Sequence, residues 1–283
     1  MNVFPPERLP AESSGDAPGS PRAPSRKRWA GLALLLLGSA AVAVDGFLVE
    51  PSWIEVTRHG VEAPLAGPLK IAHLSDLHTY EVSRRERRLL ALLEVEKPDL
   101  IVVTGDTLAR SGSHEACRQL LSRLHAPLGV WLVRGNWENW RPVKGEHAFY
   151  ASAGVHFLLN EARPVRQDVW ILGLDDPSTG SPNLGALKDV PPGAFVIALF
   201  HSPSYFDQVA GRCALALAGH THGGQVRIPF LRPLWLPRGS GRFLAGWYEM
   251  NGSQMYVSRG VGTSVLPVRF RCRPELAILT VGG

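Results

Sequence analysis

Only three cysteines, Cys117, Cys213 and Cys272, occur in the 283 residues, and no two of them form a CxxC pair. That excludes a readable thiolate zinc cluster or disulfide framework and leaves the three as small core or surface residues. A strong charge imbalance is also missing. The formal net charge is +5, and residues 1–28 hold five basic and three acidic residues, so the rest of the chain is only mildly basic. Such a balance does not demand a nucleic-acid partner. No internal repeat of fixed period is visible. The 29 glycines and 23 prolines are too few to signal general disorder, yet enough for many turns. What is present is apolar mass: at 45% hydrophobic residues the chain can bury one sizeable core, which predicts one domain with an N-terminal appendage.

That appendage changes character abruptly. Residues 1–25 are rich in Pro, Ser, Gly and Ala with scattered charges, a composition that cannot offset chain entropy by burial, so residues 1–28 are expected to form a disordered basic tail. Sixteen uncharged residues follow, from Trp29 to Val44, then Asp45 and a short apolar stretch to Val49. Residues 29–49 are about long enough to cross a bilayer, with Asp45 at the interface, and are expected to be an anchor. Ala41-Val42-Ala43 offers the small-x-small pattern of a cleaved signal, and a buried soluble helix is a third reading. Arg26, Lys27 and Arg28 precede the segment, whereas Asp45, Glu50 and Glu55 follow it. The positive-inside bias then puts the N-terminus in the cytoplasm and residues 50–283 outside.

From residue 69 onward short β-branched apolar runs alternate with helical stretches. Strands are expected at 69–74, 99–104, 129–134, 155–159, 169–174, 195–200, 214–219, 254–258 and 276–281. Helices are expected after Ser83, which has Glu86 three residues on as a capping box, and over 113–124. Strands alternating with helices early, then mostly strands, predict a layered α/β domain with a mixed sheet core.

Five strand ends carry chemistry. After 69–74 comes Asp76-Leu77-His78; after 99–104, Gly105-Asp106; after 129–134, Gly135-Asn136; after 195–200, His201; after 214–219, Gly219-His220-Thr221-His222. Each alone has an ordinary structural reading as a turn or a satisfied buried histidine. Together they crowd carboxylate, amide and imidazole groups at the strand ends where α/β sheets bind ligands. Two Asp, one Asn and four His, without thiolate, suit borderline divalent ions, manganese first and iron, zinc, cobalt or nickel besides. Seven donors exceed the needs of one ion, and two ions roughly 3.5–4 Å apart can clamp the attacking and leaving oxygens of a displacement at phosphorus. The donor set therefore predicts a dinuclear phosphoesterase.

The ordered set Asp76-x-His78, Gly105-Asp106, Gly135-Asn136, His201 and Gly219-His220-x-His222 resembles the calcineurin-like metallophosphoesterase superfamily over about residues 69–225. The resemblance implies a four-layered α/β/β/α sandwich of two mixed sheets. It also implies that Asp76, His78, Asp106 and His222 hold one ion, that Asp106, Asn136, His201 and His220 hold the other, and that Asp106 bridges. The N-terminal segment, "HGGQVRIPF" and "SRGVGTSVLP" resemble the membrane-associated or exported bacterial branch.

One position departs from the pattern. The superfamily usually has a histidine after Gly-Asn, placed with Asn136 and His220 at the reacting phosphate; here Trp137 stands there, followed by Glu138. An indole cannot act as a general acid near neutral pH. Either the leaving group needs no proton, as with a phosphoanhydride, or Trp137 only packs while His125, His147 or His156 compensates. UDP-2,3-diacylglucosamine pyrophosphate hydrolases of lipid A synthesis share the missing histidine, although their substrate is made in the cytoplasm and an outward-facing domain would not meet it. Further on, Arg232, Arg238 and Arg242 alternate with Phe230, Trp235, Phe243 and Trp247 over 228–247, with no acid among them. That arm suits lipid headgroups, or single-stranded nucleic acid. Three function classes follow: a phosphohydrolase acting on an amphiphilic or nucleotide-linked substrate, a nuclease of the same fold, which the membrane segment argues against, and a non-catalytic binding module, which the intact ligand set argues against.

Overall fold

The computed structural model describes residues 26–109, 114–233 and 235–282. Residues 1–25 of the expected tail lie outside them, as do Ser113 at the start of the second expected helix and Leu234 in the arginine-rich arm, whereas residues 26–28 of that tail are helical rather than disordered. The chain divides into two compact units, Met1–Ala41 and Val42–Gly283. In the first, helix α1 begins at Arg26 and continues to Val44 in the second. A π turn over Asp45–Val49 and a 3-10 turn over Glu50–Ser52 follow it.

Two six-stranded sheets make up the second unit. In one, β2 (Leu69–Leu74), β3 (Leu100–Thr104), β4 (Val130–Val133) and β5 (Val155–Leu158) run parallel, β12 (Glu275–Val281) lies antiparallel on β2, and β1 (Glu55–Val61) runs parallel beside β12. In the other, β7 (Val169–Gly173), β8 (Phe195–Leu199), β9 (Leu215–Ala218) and β11 (Ser253–Val257) are parallel, with antiparallel edges β6 (Glu161–Arg166) and β10 (Gly246–Met250).

The central strands are apolar on both faces, and the period of two sorts their residues. Leu69, Ile71, Leu100, Val102, Ile197 and Leu199 fill the space between the sheets. Their neighbours Ala72, Leu74, Ile101 and Val103 face instead the helices α2 (Arg84–Glu96), α3 (His114–Leu121) and α5 (Glu146–Ser152). Beyond the second sheet, Val196 and Ala198 pack with Phe206 and Val209 of the short helix α6 (Phe206–Val209). The result is the expected four-layered sandwich of two mixed sheets. Burying each large aliphatic side chain contributes about 1.5–3 kcal/mol, which explains why strands covered on both sides read as unbroken apolar runs.

The capping box forms: Glu86 Oε2 accepts the Ser83 N–H at 3.0 Å, and Leu89, Leu90 and Leu93 bury one face of α2. Its end is set by Lys97 in a left-handed conformation (φ 47°) before Pro98. All three cysteines are buried and free.

Candidate metal centre

The parallel strands of both sheets deliver their carboxyl ends to one place. Asp76 and His78 follow β2, Asp106 follows β3, and Asn136 opens the five-residue helix α4 (Asn136–Trp140) after β4. From the other sheet, His201 follows β8, and His220 and His222 follow β9. The backbone there is strained: Asp76, His78, Asp106, His220 and His222 have φ of 52°, 41°, 52°, 71° and 50°. Left-handed conformations of non-glycine residues cost on the order of 1–3 kcal/mol each and persist where surrounding structure enforces them. Glycine is required beside them. A Cβ on Gly219 would lie 1.7 Å from Ser75 Oγ and 2.5 Å from Asp76 Oδ2, and one on Gly135 would lie 2.2 Å from Asp106 Oδ1.

Two groups of ligand atoms result, Asp76/His78/His222 and Asp106/His201/His220, each with its atoms within 4.8 Å of one another. Asp106 Oδ2 lies 3.2 Å from His201 Nε2 in its own group and 3.6 Å from His78 Nε2 in the other. It thus stands between them, where a bridging ligand belongs. His78 Nε2 and His222 Nε2 approach to 3.2 Å, and His222 Nε2 is 3.2 Å from Asp76 Oδ1. His201 Nε2 and Asn136 Oδ1 are buried with no hydrogen-bond partner. A buried polar atom left unpaired costs about 1–3 kcal/mol, so converging, partnerless donors fit bound cations.

Backbone carbonyls orient the rings. The Nδ1–H of His78 donates to Leu108 O at 3.2 Å, that of His201 to Thr104 O at 2.6 Å, and the Nε2–H of His220 to Arg238 O at 2.6 Å. Each ring keeps its other nitrogen for the centre, the usual way a protein fixes the tautomer of a metal-binding histidine. Burial lowers His78 to about 3 and His220 to about 4, which keeps both rings neutral, with a lone pair to offer. Burial pushes the Asp106 carboxyl up to about 7 against the pull of His201. Burial would raise Asp76 too, but His222, His201 and His78 together hold it well below the carboxylate range.

Glu138 is the residue whose role the sequence did not disclose. Its fully buried carboxylate accepts from Asp106 N at 2.9 Å, Thr107 N and Thr107 Oγ1 at 2.7 Å, and Gly135 N at 2.8 Å, tying the β3 and β4 loops together. The available signal was a capping acid three residues after Gly135. Glu138→Ala leaves four buried donors unpaired and is expected to cost on the order of 3 kcal/mol in chemical denaturation of the ion-depleted protein. A loss below about 1 kcal/mol would mean that water replaces the carboxylate.

Trp137 lies in the site. Its backbone N–H donates to Asp106 Oδ1 at 2.9 Å, and its ring meets His78 edge-on at 5.6 Å and Trp140 at 5.6 Å. The three histidines considered as substitutes lie elsewhere, which overturns that expectation. His147 packs on Phe157, and His156 stacks on Trp131 at 4.4 Å, both on a separate cavity beside β5. His125 is exposed beyond the end of α3. Over the two ligand groups opens a cavity of about 650 Å³, with Trp137, Trp140, Trp235 and Val265 on its apolar side and Ser178, Thr179 and Arg238 among its polar lining.

Comparison with known proteins agrees with this geometry. The calcineurin-like phosphoesterase model matches residues 69–224. The chain is 30% identical over 249 residues to metallophosphoesterase YkuE of Bacillus subtilis, covering 82% of this chain and 87% of that one. It is 31% identical over 253 residues to phosphodiesterase YaeI of Escherichia coli, covering 81% and 89%. To a Danio rerio transmembrane protein with a metallophosphoesterase domain it is 27% identical over 271 residues, covering 86% and 61%. The strand-end ligands and a match over more than half of the residues lead to one conclusion: the chain belongs to the calcineurin-like phosphoesterase family and is a metal-dependent phosphoester hydrolase.

Proposed function

We propose that the protein hydrolyses a phosphoester or pyrophosphate bond of an amphiphilic or nucleotide-linked substrate at a membrane. The observation that carries this is the cavity itself, in which two metal-ligand groups face a wall of tryptophans. A hydrophilic phosphate ester would leave that wall without a partner, whereas a lipid-linked or base-bearing one covers it.

Two divalent ions held by Asp76, His78 and His222 and by Asp106, Asn136, His201 and His220, manganese foremost, would supply the positive charge that steadies the attacking and leaving oxygens at phosphorus. The chain's own groups do the rest. Asp106 sets the spacing between the two groups, Arg238 offers a guanidinium to a departing anion, and Trp137 shields the site while providing no acidic proton. Membrane attachment would come from the stretch Trp29–Ser52, which is long and apolar enough to cross a bilayer by length and composition. Arg26–Arg28 before it and the acids after it favour a cytoplasmic N-terminus and an outward catalytic unit. Similarity to the Danio rerio transmembrane protein supports the attachment, and similarity to the phosphodiesterase YaeI supports the bond cleaved.

The test is a substrate panel on the full-length protein with Mn²⁺, comparing UDP-linked lipids, phospholipids, water-soluble nucleotide sugars and single-stranded oligonucleotides. Faster turnover of an amphiphile than of its water-soluble headgroup is expected. Cleavage of oligonucleotides alone, or no turnover with two ions bound, would refute the reading.

A further inference from the structure

Three of the side chains that line the cavity, Trp140, Trp235 and Val265, stand in solvent, and Phe230, Leu231 and Leu266, neighbours of Trp235 and Val265 along the chain, are exposed as well. Exposed apolar residues are ordinary when scattered, but a contiguous patch marks an interaction surface. Two of them are held outward at a cost, since Phe230 and the β-branched Val265 have φ of 66° and 62°. Hydrogen bonds make their loops one body. The side chain of Gln225 donates to Ser264 O and Leu266 O and accepts from Ser264 N, and two residues on the N–H of Arg227 donates to Phe270 O.

This body also holds the end of the apolar N-terminal stretch. Arg269 N donates to Gly46 O at 2.9 Å, and the buried Glu50 carboxylate accepts from the N–H groups of Arg271, at 2.8 Å, and Cys272. Gly46 packs so closely on Arg269 that a Cβ would lie 3.2 Å from its carbonyl oxygen. Phe47, Leu48 and Val49, between these attachments, are exposed. The arm between Gln225 and Trp247 has no acid, and among the described residues no carboxylate pairs with its exposed Arg227, Arg232 or Arg238.

From this continuity we infer that the cavity rim, together with the exposed Phe47, Leu48 and Val49, is a docking surface for an anionic phospholipid bilayer, so that the cavity opens at headgroup level. Aromatic and aliphatic side chains insert at the acyl boundary while the arginines meet lipid phosphates. The inference rests on the reading of the protein as a membrane enzyme and adds the surface through which substrate arrives.

The test uses full-length protein in phosphatidylcholine/phosphatidylglycerol vesicles, with an environment-sensitive fluorophore on Phe230→Cys and, separately, on the exposed control site Lys188→Cys; the native cysteines are buried. The label at 230 is expected to shift to shorter wavelength and to be protected from aqueous iodide, and the label at 188 to remain quenchable. Arg227→Ser and Arg232→Ser should each weaken docking about fivefold on anionic vesicles. Equal quenching at both sites overturns the inference. So does a shift that needs no vesicles and grows with protein concentration, which would mark a second copy, or one produced only by oligonucleotide. Because the label reports without turnover, a docked rim on a protein that hydrolyses no amphiphile would refute the substrate reading and leave the surface standing, whereas amphiphile turnover with a wet label would refute the surface alone.

Discussion

Asp106→Asn is expected to lower kcat on the order of 10³-fold while the chain stays folded. The amide keeps the shape of the carboxylate and can still accept the Trp137 N–H, so the loop after β3 has no reason to move. What disappears is negative charge at a position within reach of both ligand groups, 3.2 Å from His201 and 3.6 Å from His78. Metal-ion stabilisation of a transition state is worth several kcal/mol, and each 1.4 kcal/mol or so is tenfold in rate, which sets the magnitude. Stability is expected to move the other way. Burial pushes the Asp106 carboxyl up to about 7, above its value in an unfolded chain, so in the ion-free protein the charged form costs stability at neutral pH. The ion-depleted variant should therefore melt no lower than the ion-depleted wild type. Steady-state kinetics with metal analysis checks the first expectation; near-normal turnover with two ions bound would remove Asp106 from the bridging position.

The second large effect is one of selectivity. Trp137 lines the cavity beside His78, and none of His125, His147 and His156 is among the residues that line it, so among the described residues the imidazoles facing the cavity are those of the two ligand groups. General acid catalysis is typically worth about 10² to 10⁴ in rate. An alkoxide leaving group forfeits this factor, whereas a phosphate or aryl oxide departs as a stable anion that Arg238 can neutralise. The wild type is therefore expected to prefer pyrophosphates and aryl esters to alkyl phosphodiesters. Trp137→His should raise kcat/KM for alkyl esters by up to about 10² and change pyrophosphate hydrolysis far less. Equal changes for both classes, in a folded and metal-loaded variant, would mean that Trp137 only packs.

How much of this was legible in the sequence follows from which forces leave a local trace. Central strands such as β2, β3 and β8 are buried on both faces and announce themselves as apolar runs. The three strands that were missed, β1 (EVTRHGV), β6 (EARPVR) and β10 (GWYEM), all lie at sheet edges, where one side faces solvent and polar residues or a proline interrupt the pattern. The seven candidate ligand positions were legible because each follows a readable strand. The left-handed backbones at five of them were not, because the tight approach of neighbouring loops, rather than residue type, imposes those conformations. Nor was the bonding of Glu138, whose partners Asp106 and Thr107 lie some thirty positions away. The attachment of Gly46 and Glu50 to residues 269–272 spans more than two hundred positions, beyond the reach of any local pattern.

The most direct test of the central claim, that these seven side chains assemble a two-ion phosphohydrolase, is a titration of metal-depleted full-length protein with Mn²⁺, following hydrolysis of an aryl phosphodiester. Activity should be absent without metal and reach its plateau at two equivalents per chain, with the same two equivalents found by elemental analysis after desalting. Full activity in the metal-depleted protein, or a plateau at one equivalent with Asn136, His201 and His220 replaceable by alanine at no loss, would contradict it.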